Sequence, residues 1–140
     1  MPLVRRTPSD ADRALYEEAV AAQAHAYVPY SNFRVGAAIE FADGAVVTGC
    51  NVENAAYSMA ICAERTAVVR SIAEGRDVST VRAIAVAVDG AEGPPCGACR
   101  QVLVEFFPNA DIAFTTGGEL GVMTVHELLP AAFMPESLDA

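Results

Sequence analysis

The order of helix-like and strand-like segments constrains the fold of this chain more than any other feature. From the N-terminus the pattern reads as a helix, a two-stranded hairpin, a helix, a strand, a helix, a strand and a last short helix. Strands that alternate with helices form a sheet covered by those helices, and a hairpin adds antiparallel pairing. We therefore expect an α/β fold, a three-layer α/β/α sandwich with a mixed sheet.

The helices are predicted from their start and stop signals. Ser9-Asp10-Ala11-Asp12 has the pattern of a capping box, which opens the first helix before an Ala-rich stretch. Gly75 and Pro108 are typical of the residues that follow a helix, and they end the second and third. The predicted helices cover residues 9–26, 62–74 and 96–107, with a last short helix capped by Thr124.

Four runs of β-prone residues are predicted as strands. Asp43-Gly44 supplies the tight turn that a hairpin needs between the first two runs. A Gly-rich turn at Gly117-Gly118 follows the fourth run. The predicted strands cover residues 34–41, 45–51, 82–88 and 111–115.

Length and composition predict one compact domain, residues 1–140. The chain has 140 residues, of which 53% are hydrophobic, enough for a single core. No apolar run approaches the roughly 18 residues of a membrane span, and residues 1–6 lead into the first helix without an apolar signal-peptide core. We expect a cytoplasmic protein with no membrane partner.

The charge of the chain argues against a nucleic-acid polymer as its partner. Eighteen acidic residues against nine basic ones give a formal net charge of -9. Binding to a polyanion draws most of its nonspecific affinity from Lys and Arg on phosphates. A nucleic-acid component that binds here should therefore be small and lack phosphate.

Three of the four cysteines lie at predicted helix starts, where unpaired backbone N–H groups favour thiolates. Cys62 opens one helix, and Cys96 and Cys99 open another. In the reducing cytosol such cysteines serve metal binding or catalysis more often than disulfides. Three zinc ligands leave a fourth position open, as catalytic zinc sites do.

The order Cys62-Ala63-Glu64, then Pro95-Cys96-x-x-Cys99, is the pattern of zinc deaminases. In these residues the chain resembles the cytidine deaminase family, and more specifically its short homotetrameric type. The resemblance extends over nearly the whole chain, through residues 27–33, 49–55, 62–67, 95–101 and 128–133. It implies a five-stranded sheet and hydrolysis of cytidine and 2′-deoxycytidine to uridine and 2′-deoxyuridine with release of ammonia, in pyrimidine salvage.

The resemblance also implies the roles of the motif residues. Cys62, Cys96 and Cys99 would hold one Zn²⁺ per subunit, and Glu64 would carry protons from the attacking water to the pyrimidine N3 and the departing amine. Three thiolates leave the zinc site anionic, so compensating positive charge is expected. Arg65 is the candidate.

Further positions are expected to contact the nucleoside. Asn51 and Glu53 lie two apart at a predicted strand end, so their side chains should share a face, and the resemblance assigns them the ribose 3′-OH. The resemblance places Phe33 against the pyrimidine and the Ala63 N–H at its O2. Three more positions would complete a neighbouring subunit's site, namely Ala55, Tyr57 and Phe133.

Three alternatives remain at this point. Another deaminase of the same zinc superfamily would act on a modified nucleoside, a nucleotide, a base in RNA or DNA, or an antibiotic. A non-enzymatic zinc module would close its site with Cys50 or a histidine, but this leaves Glu64 unexplained. A thioredoxin-like oxidoreductase would use Cys96 and Cys99 alone and tolerate loss of Cys62. His25 and His126 match no part of the cysteine cluster, and we expect them to be structural or surface residues.

Overall fold

A single five-stranded mixed sheet organises the computed structural model, which describes residues 4–139. The strand order is β2-β1-β3-β4-β5, where β3 and β4 are parallel and the other neighbours antiparallel. The strands are β1 (Val35–Phe41), β2 (Val46–Cys50), β3 (Val81–Val88), β4 (Asp111–Thr116) and β5 (Glu119–Thr124). The mixed sheet is confirmed, with the five strands that the family resemblance implies.

Three α-helices cover the sheet, and their caps lie where the sequence places them. Ser9 and Asp12 form a reciprocal capping box at the first helix. Gly75 adopts a φ of +79° just beyond the second, in the left-handed region that favours glycine. The helices are α1 (Asp10–Ala22), α2 (Ala63–Ala73) and α3 (Gly97–Phe106). The first ends earlier than predicted, because residues 23–25 form a separate 3-10 turn.

Successive side chains of a strand lie on opposite faces of the sheet, and here they pack into two different cores. Ala38 of β1 faces α1, in a core made largely of alanine together with Leu15. Ile39 and the neighbouring Ala37 face the opposite side, in the larger core that includes residues of α2 and α3. One helix therefore lies on one face and two lie on the other, which confirms the α/β/α sandwich.

The strand β5 is a difference from the sequence pattern, which identified only four strands. Its signal was present, since Gly117 and Gly118 both have positive φ and join two β-prone runs. Gly121 weakens the signal, because glycine is a poor strand residue. A Cβ at Gly121 would lie only 2.6 Å from the Arg5 guanidinium, which explains a glycine there.

Two expectations concern the ends of the chain. The first three residues of the predicted lead-in, 1–6, lie outside the part of the chain that the structure describes. Ala140, the last residue of the predicted domain, lies outside it too. Arg6 forms a β-bridge with Val122 of β5 before α1 begins. Between residues 4 and 139, no helix is long and apolar enough to cross a membrane.

Candidate active site

The N-termini of α2 and α3 bring the three motif cysteines together. Cys62 is the N-cap of α2, Cys96 is the N-cap of α3, and Cys99 lies in the first turn of α3. Their three Sγ atoms lie within 4.8 Å of one another. The convergence predicted from the spacing of the cysteines is therefore present.

The sulfur cluster fits a zinc ion. Tetrahedral coordination with Zn–S bonds of about 2.3 Å separates neighbouring sulfurs by about 3.8 Å, so a small side-chain adjustment would suffice. Cys50 is at the end of β2 and is absent from the cluster, and neither histidine belongs to it. Among the residues described, the cluster thus offers three ligands, the number that leaves a fourth position open.

Arg65 supplies positive charge beside the sulfurs. Its Nη2 lies 3.5 Å from the Cys62 Sγ, and its buried Nε has no partner among residues 4–139. Hydrogen bonding from Cys99, then from Arg65, lowers the pKa of the Cys62 thiol to about 5. The same pairing with Cys62 raises the pKa of Cys99, because a second thiolate would lie against the first. A divalent cation would remove this repulsion, which is a second reason that the cluster fits zinc.

Glu64 is buried in the first turn of α2, with 4% of its surface exposed. Burial is the main cause that raises the pKa of its carboxyl, and the charge on Cys62 adds to the rise. A carboxyl whose pKa moves toward neutrality both accepts and returns protons efficiently. The geometry therefore gives Glu64 the properties of a proton carrier beside the sulfurs.

A cavity of about 290 Å³ opens over the cluster. Glu64, two of the cysteines and Phe33 all line it, and Phe33 is 44% exposed. The lining residues are Phe33, Val35, Asn51, Cys62, Glu64, Val86, Val88, Glu92, Gly93, Pro94 and Cys96. Ligand pockets of proteins occupy roughly 300–1,000 Å³, so one chain provides a small site.

Asn51 and Glu53 lie in different cavities of this chain. Asn51 lines the cavity over the cysteines, and its side chain accepts from Val35 N (2.9 Å) and donates to the Phe33 carbonyl (2.8 Å). Glu53 lines a neighbouring cavity of about 340 Å³. The Ser31 hydroxyl, with the backbone N–H groups of Tyr30 and Ser31, lowers the pKa of the Glu53 carboxyl.

The remaining residues predicted to contact the substrate differ in burial: one is buried and three are exposed. Ala63 is fully buried at the first position of α2, where its N–H has no intrahelical acceptor. Ala55 is exposed, and Tyr57 is 77% exposed, with its ring edge-on to Tyr30 at 5.9 Å. Phe133 is 60% exposed, and Gln101 donates to its carbonyl at 2.8 Å. None of these three exposed residues lines the cavity of the same chain.

Several lining residues were not identified from the sequence. Val86 and Val88 end β3, and residues 92–94 belong to the loop that follows. Their position at and just after the end of a buried strand could have identified them from the sequence, since ligands of open α/β sheets bind beyond the carboxyl ends of strands. Their apolar or small side chains carry no chemical signature of their own.

Comparisons with known proteins agree with this geometry. The family described as the cytidine and deoxycytidylate deaminase zinc-binding region matches residues 9–115. A cytidine deaminase of Halalkalibacterium halodurans is 49% identical over 129 residues, which are 89% of this chain and 96% of the relative.

Solved structures agree as well. The cytidine deaminase of Burkholderia pseudomallei superposes with a TM-score of 0.82 at 47% identity, over 86% of this chain and 98% of that one. That of Mycobacterium leprae gives a TM-score of 0.74 at 41% identity, over 88% and 99%. The match in motif, sequence and fold means that this chain is an enzyme of the zinc-dependent cytidine and deoxycytidylate deaminase family.

Proposed function

We propose that this protein hydrolyses cytidine and 2′-deoxycytidine to the corresponding uridines and releases ammonia, with one zinc ion per subunit. The observation that carries the proposal is the junction of α2 and α3. There, three cysteine sulfurs lie within 4.8 Å of one another and a buried carboxyl follows the first of them by two residues. Family membership supplies the reaction class.

The protein's own residues divide the chemistry among them. Cys62, Cys96 and Cys99 would hold the zinc, which would supply Lewis-acid activation of water. Glu64 would take a proton from a water molecule as its oxygen adds to C4, pass that proton to the pyrimidine N3, and then move the proton of the new C4 hydroxyl to the departing amine. Arg65 offsets the negative charge of the thiolates.

The substrate lies in the cavity over the cysteines. Phe33 packs against the flat base, and the Ala63 N–H binds the pyrimidine O2. Asn51 binds the ribose hydroxyl with the second N–H of its amide, because its other groups already pair with the backbone. Glu53 reaches the same hydroxyl from the adjoining cavity with its Oε2, because the backbone N–H groups at residues 30 and 31 both donate to its Oε1.

A free nucleoside is favoured over a nucleotide. Of the described residues that line the cavity, none is basic, and two, Glu64 and Glu92, are acidic. A phosphate there would meet no Lys or Arg side chain among these lining residues, in a chain of net charge -9. Activity on cytidine should therefore exceed activity on cytidine 5′-monophosphate by at least about 100-fold, as expected from roughly 3 kcal/mol of unpaired charge.

The enzyme works as a homotetramer whose sites are shared between subunits, as one domain per chain, in the cytoplasm. Tyr57 and Phe133 support sharing, because these aromatic side chains are exposed and neither lines the cavity over the cysteines of its own chain. Three cysteine ligands also need a compartment that keeps thiols reduced. Light scattering should give the mass of four chains.

Subunit mixing tests whether the sites are shared. Glu64→Gln and Tyr57→Ala should each be weakly active alone. In some sites of a mixed tetramer, an intact Glu64 of one subunit would lie beside an intact Tyr57 of another. Refolding the two variants together should therefore recover activity above the sum of the two separate samples. Equal activity before and after mixing would contradict a shared site.

The reaction itself is tested by incubating zinc-loaded protein with cytidine and measuring ammonia and uridine. Equal amounts of both products would establish the deaminase activity. Cys62→Ala is the discriminating variant, because it removes a zinc ligand but leaves Cys96 and Cys99 in place. Retained thiol-disulfide exchange without deamination in either protein would favour the oxidoreductase alternative instead.

A further inference from the structure

The loop that joins β3 to α3 is fastened by three hydrogen bonds to the end of β4 and to the turn between β4 and β5. The Gly93 N–H donates to the Thr115 carbonyl at 2.8 Å, and the Gly118 N–H donates to the Ala91 carbonyl at 3.1 Å. In the third, the Gly117 N–H donates to the Glu92 carboxylate. We call these three bonds the loop latch.

The geometry of the turn makes its amides available. Gly117 and Gly118 have φ values of +58° and +76°, and together they form the two-residue connection between β4 and β5. In such a turn both central N–H groups lie outside the hairpin ladder. Residues 91 and 92 supply their acceptors, so the turn serves as a fixed anchor for the loop.

The anchored loop leads directly into the site. Glu92, Gly93 and Pro94 line the cavity over the cysteines, and Cys96 lies two residues further on. Gly93 is buried, and a Cβ there would lie only 3.2 Å from the Thr115 hydroxyl, so the loop already packs closely on β4. Cys96 is exposed, so its place depends on the chain that precedes it.

The other side of Cys96 is held by α3. The Arg100 Nε donates to the Pro95 carbonyl at 2.8 Å, and its Nη1 donates to the Leu128 carbonyl at 3.1 Å. Pro95 is thereby bonded to the helix, while Gly93 is bonded to β4 and residues 91 and 92 to the turn. Between these two anchors, Glu92 makes the only bond from a loop side chain to the turn among the described residues.

We propose that Glu92 is a positioning residue of the active site. Its carboxylate fixes the loop that forms one cavity wall and sets the position of the Cys96 sulfur. The bond is charge-assisted and therefore stronger than a neutral one. This role rests on the proposed zinc site and adds to it a residue from outside the zinc-binding motif.

The test compares two substitutions by the rate at which zinc leaves the protein for a chromogenic chelator. Glu92→Ala removes the acceptor and should speed zinc loss about tenfold, the factor expected for one charge-assisted hydrogen bond. Glu92→Gln keeps an acceptor oxygen and should remain within about threefold of the unaltered protein. Glu105→Ala, an exposed position of α3 outside the cavity lining, is the matched control and should not change the rate.

Two outcomes overturn the proposal. One is zinc loss from Glu92→Ala at the unaltered rate. The other is equal acceleration by Gln and Ala, which would make charge rather than the latch responsible. If Glu92→Ala fails to fold, hydrogen exchange in the unaltered protein decides, because the latch requires slow exchange at the Gly117 amide. Failure of the unaltered protein to bind zinc would instead contradict the proposed function.

Discussion

Gly49 controls how closely α2 approaches the sheet, and its replacement tests whether that approach matters to the site. A Cβ at this position of β2 would lie 2.5 Å from the Ala67 N and 2.6 Å from the Ala63 O, both backbone atoms of α2. Restoring an ordinary contact of 3.4 Å requires the helix to retreat by roughly 0.9 Å. Cys62 and Glu64 lie at the start of this helix and would move with it.

The magnitude of the effect follows from this displacement. Overpacking a dense core costs about 1–3 kcal/mol, and two backbone clashes place Gly49→Ala at the upper end. For a chain of this size that corresponds to a fall in melting temperature of about 6–10 °C. A displacement near 1 Å of catalytic groups lowers turnover by up to about 100-fold.

Differential scanning calorimetry and ammonia release measure the two effects. Gly97→Ala is the control for stability, because a Cβ at Gly97 meets nothing within 4 Å and alanine is the better helix residue. Its melting temperature should stay equal or rise slightly. A Gly49→Ala protein that melts within 2 °C of the unaltered one would refute the packing argument.

Three further predictions concern single carboxylates and the site cation. Glu64→Gln should keep zinc, by elemental analysis, but lower ammonia release by about 10²–10⁴-fold, because an amide cannot shuttle the proton. Arg65→Gln should weaken zinc binding about 10–100-fold in chelator competition, because it removes a charge that lowers the pKa of Cys62. Glu127, whose pKa the Thr124 hydroxyl and N–H lower to about 2, stabilises the fold above pH 4.5 and loses this contribution toward pH 2. The difference in melting temperature between Glu127→Gln and the unaltered protein should therefore close as the pH falls through that range.

The sequence predicted the layers and the zinc cluster well because both depend on residue type. The Ser9–Asp12 capping box, Gly75 and the Thr124 cap have local chemistry that a short window reveals. The cysteines were placed by their position at helix starts, and their sulfurs do converge. Zinc as the cofactor and the deaminase family are confirmed by the family match.

What the sequence pattern missed depends on contacts between distant residues. The strand β5 contains Gly121, whose small size accommodates Arg5 from the opposite end of the chain. The shared face of Asn51 and Glu53 stays a prediction, since β2 ends at Cys50, but a strand pattern could not predict which cavities the two residues line. Beyond that point Val52 forms isolated bridges with Tyr27 and Ile61, and Asn51 and Glu53 line separate cavities.

The walls of the cavity mark the boundary between what a motif specifies and what packing specifies. A zinc ligand or a proton carrier must be one of a few residue types, so its spacing along the chain is informative. A wall has only to exclude water and match a shape, which Val86, Val88 and Pro94 do without distinctive chemistry. Glu92 belongs to both groups. Its carboxylate is chemically distinctive, but its proposed role depends on a hydrogen bond from the amide of Gly117, 25 residues away. A residue that holds the loop of a metal ligand in place is therefore specified by contacts of the fold and not by the motif that contains the ligand.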